Sequence, residues 1–152
     1  MNILKLSIAL GAVLSATWTL PAWSQAKPDV LVKQRQAAMA LQGKYFGPIR
    51  AMAQGKIPYD APIVARNVVY LDALARMPWD GFTPATKDIK SQSTPAVFTD
   101  TAKFKDAQDR FQAEVTRLSE VTRKGDEASI KSQILAVDKS CASCHDTFRE
   151  KQ

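Results

Sequence analysis

One histidine and two cysteines in 152 residues leave little for metal binding or catalysis to use. A structural zinc site wants four nitrogen or sulfur ligands, and this chain offers three before carboxylates are invoked. No Ser/His/Asp arrangement and no Gly-rich phosphate loop is present. Strand-like alternation is absent throughout, as are internal repeats and low-complexity tracts, so sheet and repeat architectures are excluded. No apolar run reaches the about 18 residues of a membrane span, because Thr17, Thr19 and Pro21 interrupt the one near the N-terminus. The 21 basic and 15 acidic residues give a net charge of +6. The basic residues are scattered along helix-like patterns rather than gathered in a block, which leaves no footprint for nucleic acid.

What is present is concentrated near the C-terminus, where Cys141-Ala142-Ser143-Cys144-His145 holds every cysteine and histidine of the chain. On a helix these three residues stand at i, i+3 and i+4, on one face. Two thiols at that spacing can add to the two vinyl groups of one porphyrin while the neighbouring imidazole reaches its iron, so the pentapeptide reads as a covalent haem site with His145 as proximal ligand. A redox Cys-x-x-Cys draws its low thiol pKa from a helix N-terminus in a βαβ setting, and this motif lies near the end of a helical pattern instead. A disulfide and a chance pentapeptide are the remaining alternatives.

The N-terminus has the pattern of a secretory signal peptide over residues 1–24. Lys5 precedes the apolar stretch Leu6 to Leu14, and Ala22-Trp23-Ser24 places small residues at −3 and −1 of a cleavage site. Cleavage before Gln25, or alternatively after Ala26, leaves residues 25–152 as a single domain with enough chain for a core. Loss of Lys5 takes the charge from 21 minus 15 to 20 minus 15, or +5. A basic rim of that kind can steer an acidic redox partner.

Apolar spacing predicts four helices. The first runs from about Asp29 to Ala53, with Gly43 and Gly47-Pro48 expected to interrupt it and kink it near 44–48. Asp60 and Pro62 open the second, whose Val64, Val68, Leu71 and Leu74 share a face, and Met77-Pro78 closes it. From Pro78 to about Asp100 no period is sustained, which predicts a long connection, either a crossover or a segment packed on a haem edge. Phe104, Ala107, Phe111, Val115, Leu118 and Thr122 mark a third helix ending at Gly125. Asp126 caps a fourth, with Ile130, Ile134, Val137, Cys141, Cys144 and Phe148 on its core stripe. The fold class is all-α, an antiparallel four-helix bundle enclosing the haem.

These features together resemble cytochrome c prime, the class II c-type cytochromes of bacteria. The resemblance covers essentially all of Gln25 to Lys151. It rests on Arg35-Gln36-Ala37-Ala38-Met39, on Gly55-Lys56-Ile57-Pro58-Tyr59-Asp60, on Pro78-Trp79, and on the run from Cys141 to Arg149. It implies one haem c per chain linked by Cys141 and Cys144, with His145 on the iron, Arg35 and Gln36 flanking the propionate side, and Arg149 beside the proximal imidazole. A charge at Arg149 also suits the end of a helix dipole. Phe148 falls where relatives often carry tyrosine, Pro48 departs from the family pattern, and Thr94 to Ala96 aligns weakly with a stretch that relatives bring near the haem.

The resemblance further implies a periplasmic protein that pairs as a homodimer through its first two helices. Met39 occupies the distal position. Left unbound, it covers a five-coordinate, high-spin iron that binds NO or CO and exchanges electrons with a small redox protein. As a sixth ligand it makes a low-spin, dedicated electron carrier with a raised potential. High-spin iron is the expectation. No distal histidine is available to hydrogen-bond dioxygen, and no acid–base group serves peroxidase chemistry, so an enzyme is not expected.

Overall fold

A computed structural model describes residues 26–77 and 79–151. The expected signal segment, the cleavage site before Gln25, and the Pro78 half of the Pro78-Trp79 pair touch or fall among residues outside that range. Among the described residues five α-helices are present: α1 (Pro28–Ala53), α2 (Ala61–Ala75), α3 (Ala96–Thr99), α4 (Thr101–Lys124) and α5 (Glu127–Phe148). The four long ones form the bundle, and no strand occurs among the described residues.

The caps follow from local chemistry. Asp60 accepts the Ile63 amide at 2.9 Å, Asp100 the Lys103 amide at 3.4 Å, and Asp126 the Ser129 amide at 2.8 Å, each supplying a partner for an orphan donor of the first turn. Gly125 ends α4 at a φ of 80°, where its amide donates to the Thr122 and Val121 carbonyls. The two-residue link from α4 to α5 and the short one from α1 to α2 make those pairs antiparallel neighbours.

The expected interruption of α1 is absent, since the helix continues through Gly43, Gly47 and Pro48. Pro48 removes the amide that the Lys44 carbonyl would accept, but Lys44 is exposed and water can take that place. On the opposite side Phe46, Ile49 and Met52 are buried in the main core, and that packing carries the helix past its breakers. In α2 the buried stripe is Val64, Val68, Leu71 and Ala75, so Ala75 takes the place expected of the half-buried Leu74. Carbonyls at the end of α2 and just beyond it are met by side chains from three directions. Gln42 donates to Leu74 and Met77, while Trp79 and Gln112 both donate to Ala75.

The long connection is more ordered than its composition suggests, with 3-10 turns at Trp79–Gly81 and Pro84–Thr86 and the single turn of α3. Its far end is tied to the last turn of α5. Thr94 donates from its amide to the Phe148 carbonyl and from its hydroxyl to Thr147, and the Glu150 amide donates to Gln92.

Apolar packing falls into two clusters. The larger joins all four long helices through Phe46, Ile49, Val64, Leu71, Phe111, Val115, Leu118, Ile134 and Val137, with Cys141 packed against its edge. The smaller gathers Val97, Ala107 and Phe148 with Phe82, Phe98 and Phe104, and it is Cys144 that packs there.

Candidate functional site

The last turns of α5 carry Cys141, Cys144 and His145 on the face that looks between the two clusters. A cavity of about 800 Å³ opens there, lined from α1 by Arg35, Gln36, Met39, Gly43, Phe46, Gly47 and Arg50, and from α5 by Asp138, Cys141, Cys144, His145, Phe148 and Arg149. Leu71 of α2, Phe104 and Phe111 of α4, and the connecting residues Phe82, Ser91, Gln92, Ser93 and Val97 complete the wall. Cys141, Cys144, His145, Arg35, Gln36, Met39 and Arg149 are therefore brought to one space.

The electrostatics of the thiols argue against redox exchange. Burial pushes the Cys141 thiol up to about 12, with Asp138 and then Cys144 adding to the effect. Cys144 is raised by burial too, against the opposing charge of Arg110. A catalytic Cys-x-x-Cys needs the reverse, a thiolate favoured by a helix N-terminus. Both cysteines are free, which leaves the disulfide alternative without support in this arrangement. His145 stands at the exposed rim, its pKa lowered first by burial and then by Arg149, while Asp146 opposes the shift. Arg149 lines the same cavity as His145, and its amide donates to the His145 carbonyl as the C-cap of α5.

Arg35 is only 2 % exposed. One of its terminal nitrogens donates to the Gly81 carbonyl and the Thr86 hydroxyl, both at 3.1 Å, and the other to Ser91 Oγ at 2.9 Å. Its guanidinium also lies 4.5 Å from the centre of the Phe82 ring. Three of five N–H donors are spent on the connecting segment, so two are left for a propionate. Burial without a carboxylate partner lowers its pKa. Gln36, by contrast, is exposed at the cavity.

A porphyrin fits this space. The volume lies in the upper part of the about 300–1,000 Å³ range of small-molecule sites. A Cβ added at Gly47 would meet nothing within 4 Å, so the α1 wall is open there to a flat ring. The wall is mostly aromatic and aliphatic, with thiols and an imidazole on one side.

Sequence reasoning missed the polar strip Ser91, Gln92 and Ser93, and the pair formed by Arg50 with Asp138 at 3.3 Å. Asp138 could have been found, since it stands one turn before Cys141 on the same stripe. The strip could not, because its position depends on Arg35 and on the end of α5. The neighbouring Thr94 to Ala96 stretch does not line the cavity but anchors the segment that does.

Residues 30–149 match the family model described as Cytochrome C′. The cytochrome c′ of Rubrivivax gelatinosus is 40% identical over 126 residues, which span 82% of this chain and 98% of that protein. Among solved structures, the nitric oxide complex of a cytochrome c prime variant from Alcaligenes xylosoxidans is similar with a TM-score of 0.76 at 36% identity, over 83% of this chain and 98% of that one. A carbon monoxide-bound variant of the same protein has the same TM-score, identity and coverage.

Proposed function

Because the chain belongs to the cytochrome c′ family, we propose that it is a periplasmic haem protein with five-coordinate, high-spin iron, which binds NO and CO and passes single electrons without acting as an enzyme. Covalently bound haem c is carried by this family. Here Cys141 and Cys144 would hold it by thioether bonds, His145 would take the iron, and Arg35 and Gln36 would face the propionates. When bound, the haem supplies an iron that exchanges one electron and accepts a diatomic ligand.

The observation that carries the reading is the placement of Met39 on the α1 wall of the cavity whose α5 wall holds His145. A thioether is soft, apolar and without a donor, so it covers a face while offering bound dioxygen no hydrogen bond. In the competing reading Met39 ligates iron and the protein only carries electrons, and the ferric spectrum separates the two. For proton transfer the wall offers one carboxylate among the described residues, Asp138, and Arg50 holds it. That supports binding and transfer over turnover.

Periplasmic export rests on the signal-like residues 1–24, and no described helix is long and apolar enough to cross a membrane. The mature charge of +5 suits an acidic electron donor. A homodimer is supported by the outer face of α1 and α2, where Leu41 and Val69 are exposed and the rings of Tyr45 and Tyr70 lie 4.7 Å apart, tilted by 44°.

The ferric EPR and optical spectra test the reading. A high-spin signal, with a reduced form that shifts on adding CO, is the expected result. A low-spin signal with a methionine–iron charge-transfer band that disappears in Met39→Ala would overturn it.

A further inference from the structure

Gly43 has no reason to be glycine that the protein itself supplies. It lies in the interior of α1, where glycine weakens a helix relative to alanine. It is not among the residues with positive φ, which are Gly55 and Gly125. A Cβ there would meet no neighbouring atom within 4 Å, so no close approach requires its absence. What distinguishes the position is that it lines the cavity one helical turn after Met39.

Helical side chains lean toward the N-terminus, so a side chain at position 43 would lie over the turn that contains Met39, and the two would meet as an i, i+4 pair. With glycine, that patch beside the Met39 thioether is bare. A diatomic ligand entering the face that Met39 covers must displace its flexible, unbranched side chain, and the displaced atoms need somewhere to go. We propose that Gly43 is a specificity-determining residue of the distal face, holding open the space into which Met39 swings when a gas molecule binds. The proposal rests on the gas-binding reading above. It also covers a Met39 that must first leave the iron, because a released thioether needs the same room.

A double-mutant cycle in the haem-loaded protein tests it, with CO affinity of the ferrous form as the readout and wild type, Gly43→Ala, Gly43→Val, Met39→Ala and Met39→Ala/Gly43→Val compared. Gly43→Val should weaken CO binding about tenfold or more, as expected for forcing an overpacked rearrangement, and Gly43→Ala should weaken it less while raising the thermal midpoint. In the Met39→Ala background the Gly43→Val effect should fall below about twofold, since no long side chain is left to displace. Equal losses in both backgrounds, or wild-type affinity in Gly43→Val, would overturn the proposal. Intact mass after denaturation reports covalent haem, and failure of both Gly43 variants to carry it would also overturn the proposal by assigning the space to the porphyrin. The ferric EPR of the wild type separates the two ideas: a low-spin signal sinks the five-coordinate reading, and the cycle still decides the role of Gly43.

Discussion

Replacing Arg35 by lysine keeps the charge and removes the fork. The guanidinium makes three hydrogen bonds to two parts of the connecting segment, and one ammonium can keep a single member of that set. Charge-assisted bonds are worth about 1.5–3 kcal/mol each. The abandoned acceptors are not orphaned, however. The Thr86 hydroxyl still reaches the Thr83 carbonyl at 2.8 Å, and Ser91 Oγ still accepts the Ser93 amide at 3.3 Å. Two bonds at the lower end of that range give about 3 kcal/mol, and losing the contact with the Phe82 ring adds about 0.5–1 kcal/mol. The expected loss of about 3–4 kcal/mol corresponds to roughly 10 °C in Tm for a domain of this size. Urea unfolding of the haem-loaded protein measures the loss. Amide exchange should locate it, with Thr94 and Glu150 losing protection because their acceptors lie across the tethered strip. Stability within about 0.5 kcal/mol of wild type, the usual range for inconsequential surface changes, would refute the role of Arg35 as the anchor of the cavity wall.

Two further outcomes follow from the helix ends and the outer face. Asp100 and Asp126 both have pKa values depressed by hydrogen bonds from the turns they cap, so their stabilisation is fully present above the unfolded value of 3.8 and is lost as pH falls through the lower folded values. Acid unfolding followed by circular dichroism should therefore steepen below pH 3.8, and Asp100→Asn/Asp126→Asn should flatten that limb. Val69, 67 % exposed beside the Tyr45–Tyr70 pair, should anchor the homodimer proposed above. Sedimentation of Val69→Glu should then give monomers with an unchanged haem spectrum, and an undiminished dimer would exclude this face.

What was legible in the sequence depended on how local its cause is. Asp60 and Asp126 announce themselves because a cap needs only the three residues that follow, and Gly125 because a left-handed residue must end α4. The four long helices were visible in their apolar spacing for a similar reason. Pro48 misled because its cost is local while the packing that overrides it, around Phe46, Ile49 and Met52, comes from other helices. The connecting segment was legible only as a length too great to be idle. Its 3-10 turns and the strip Ser91 to Ser93 are placed by Arg35, about fifty residues upstream, and by the end of α5, about fifty-five downstream, and no periodicity records such tethers. For the site, motif spacing brought out Cys141, Cys144 and His145, and resemblance brought in Arg35, Gln36, Met39 and Arg149. Asp138 was within reach of the stripe that carries Cys141, whereas its pairing with Arg50 of α1 belongs to no motif and needed the fold.

The cavity sets how folding depends on the group it accommodates. Phe46, Phe82, Phe104, Phe111 and Phe148 all line the space, and without the porphyrin they lose the apolar surface they would pack against. Water that enters finds few hydrogen-bonding partners on that part of the wall. A chain denied haem must therefore collapse around the gap. The caps and the larger cluster lie partly outside it, so helices should survive while the smaller cluster around Val97 and Phe148 loses its packing. The variant Cys141→Ser/Cys144→Ser, freed of haem, should keep most of its far-ultraviolet circular dichroism, lose its near-ultraviolet signal and bind ANS, the pattern of a compact state without fixed packing. If that variant instead gives native-like near-ultraviolet bands and a cooperative thermal transition, the two clusters are self-sufficient and the porphyrin is not part of the core.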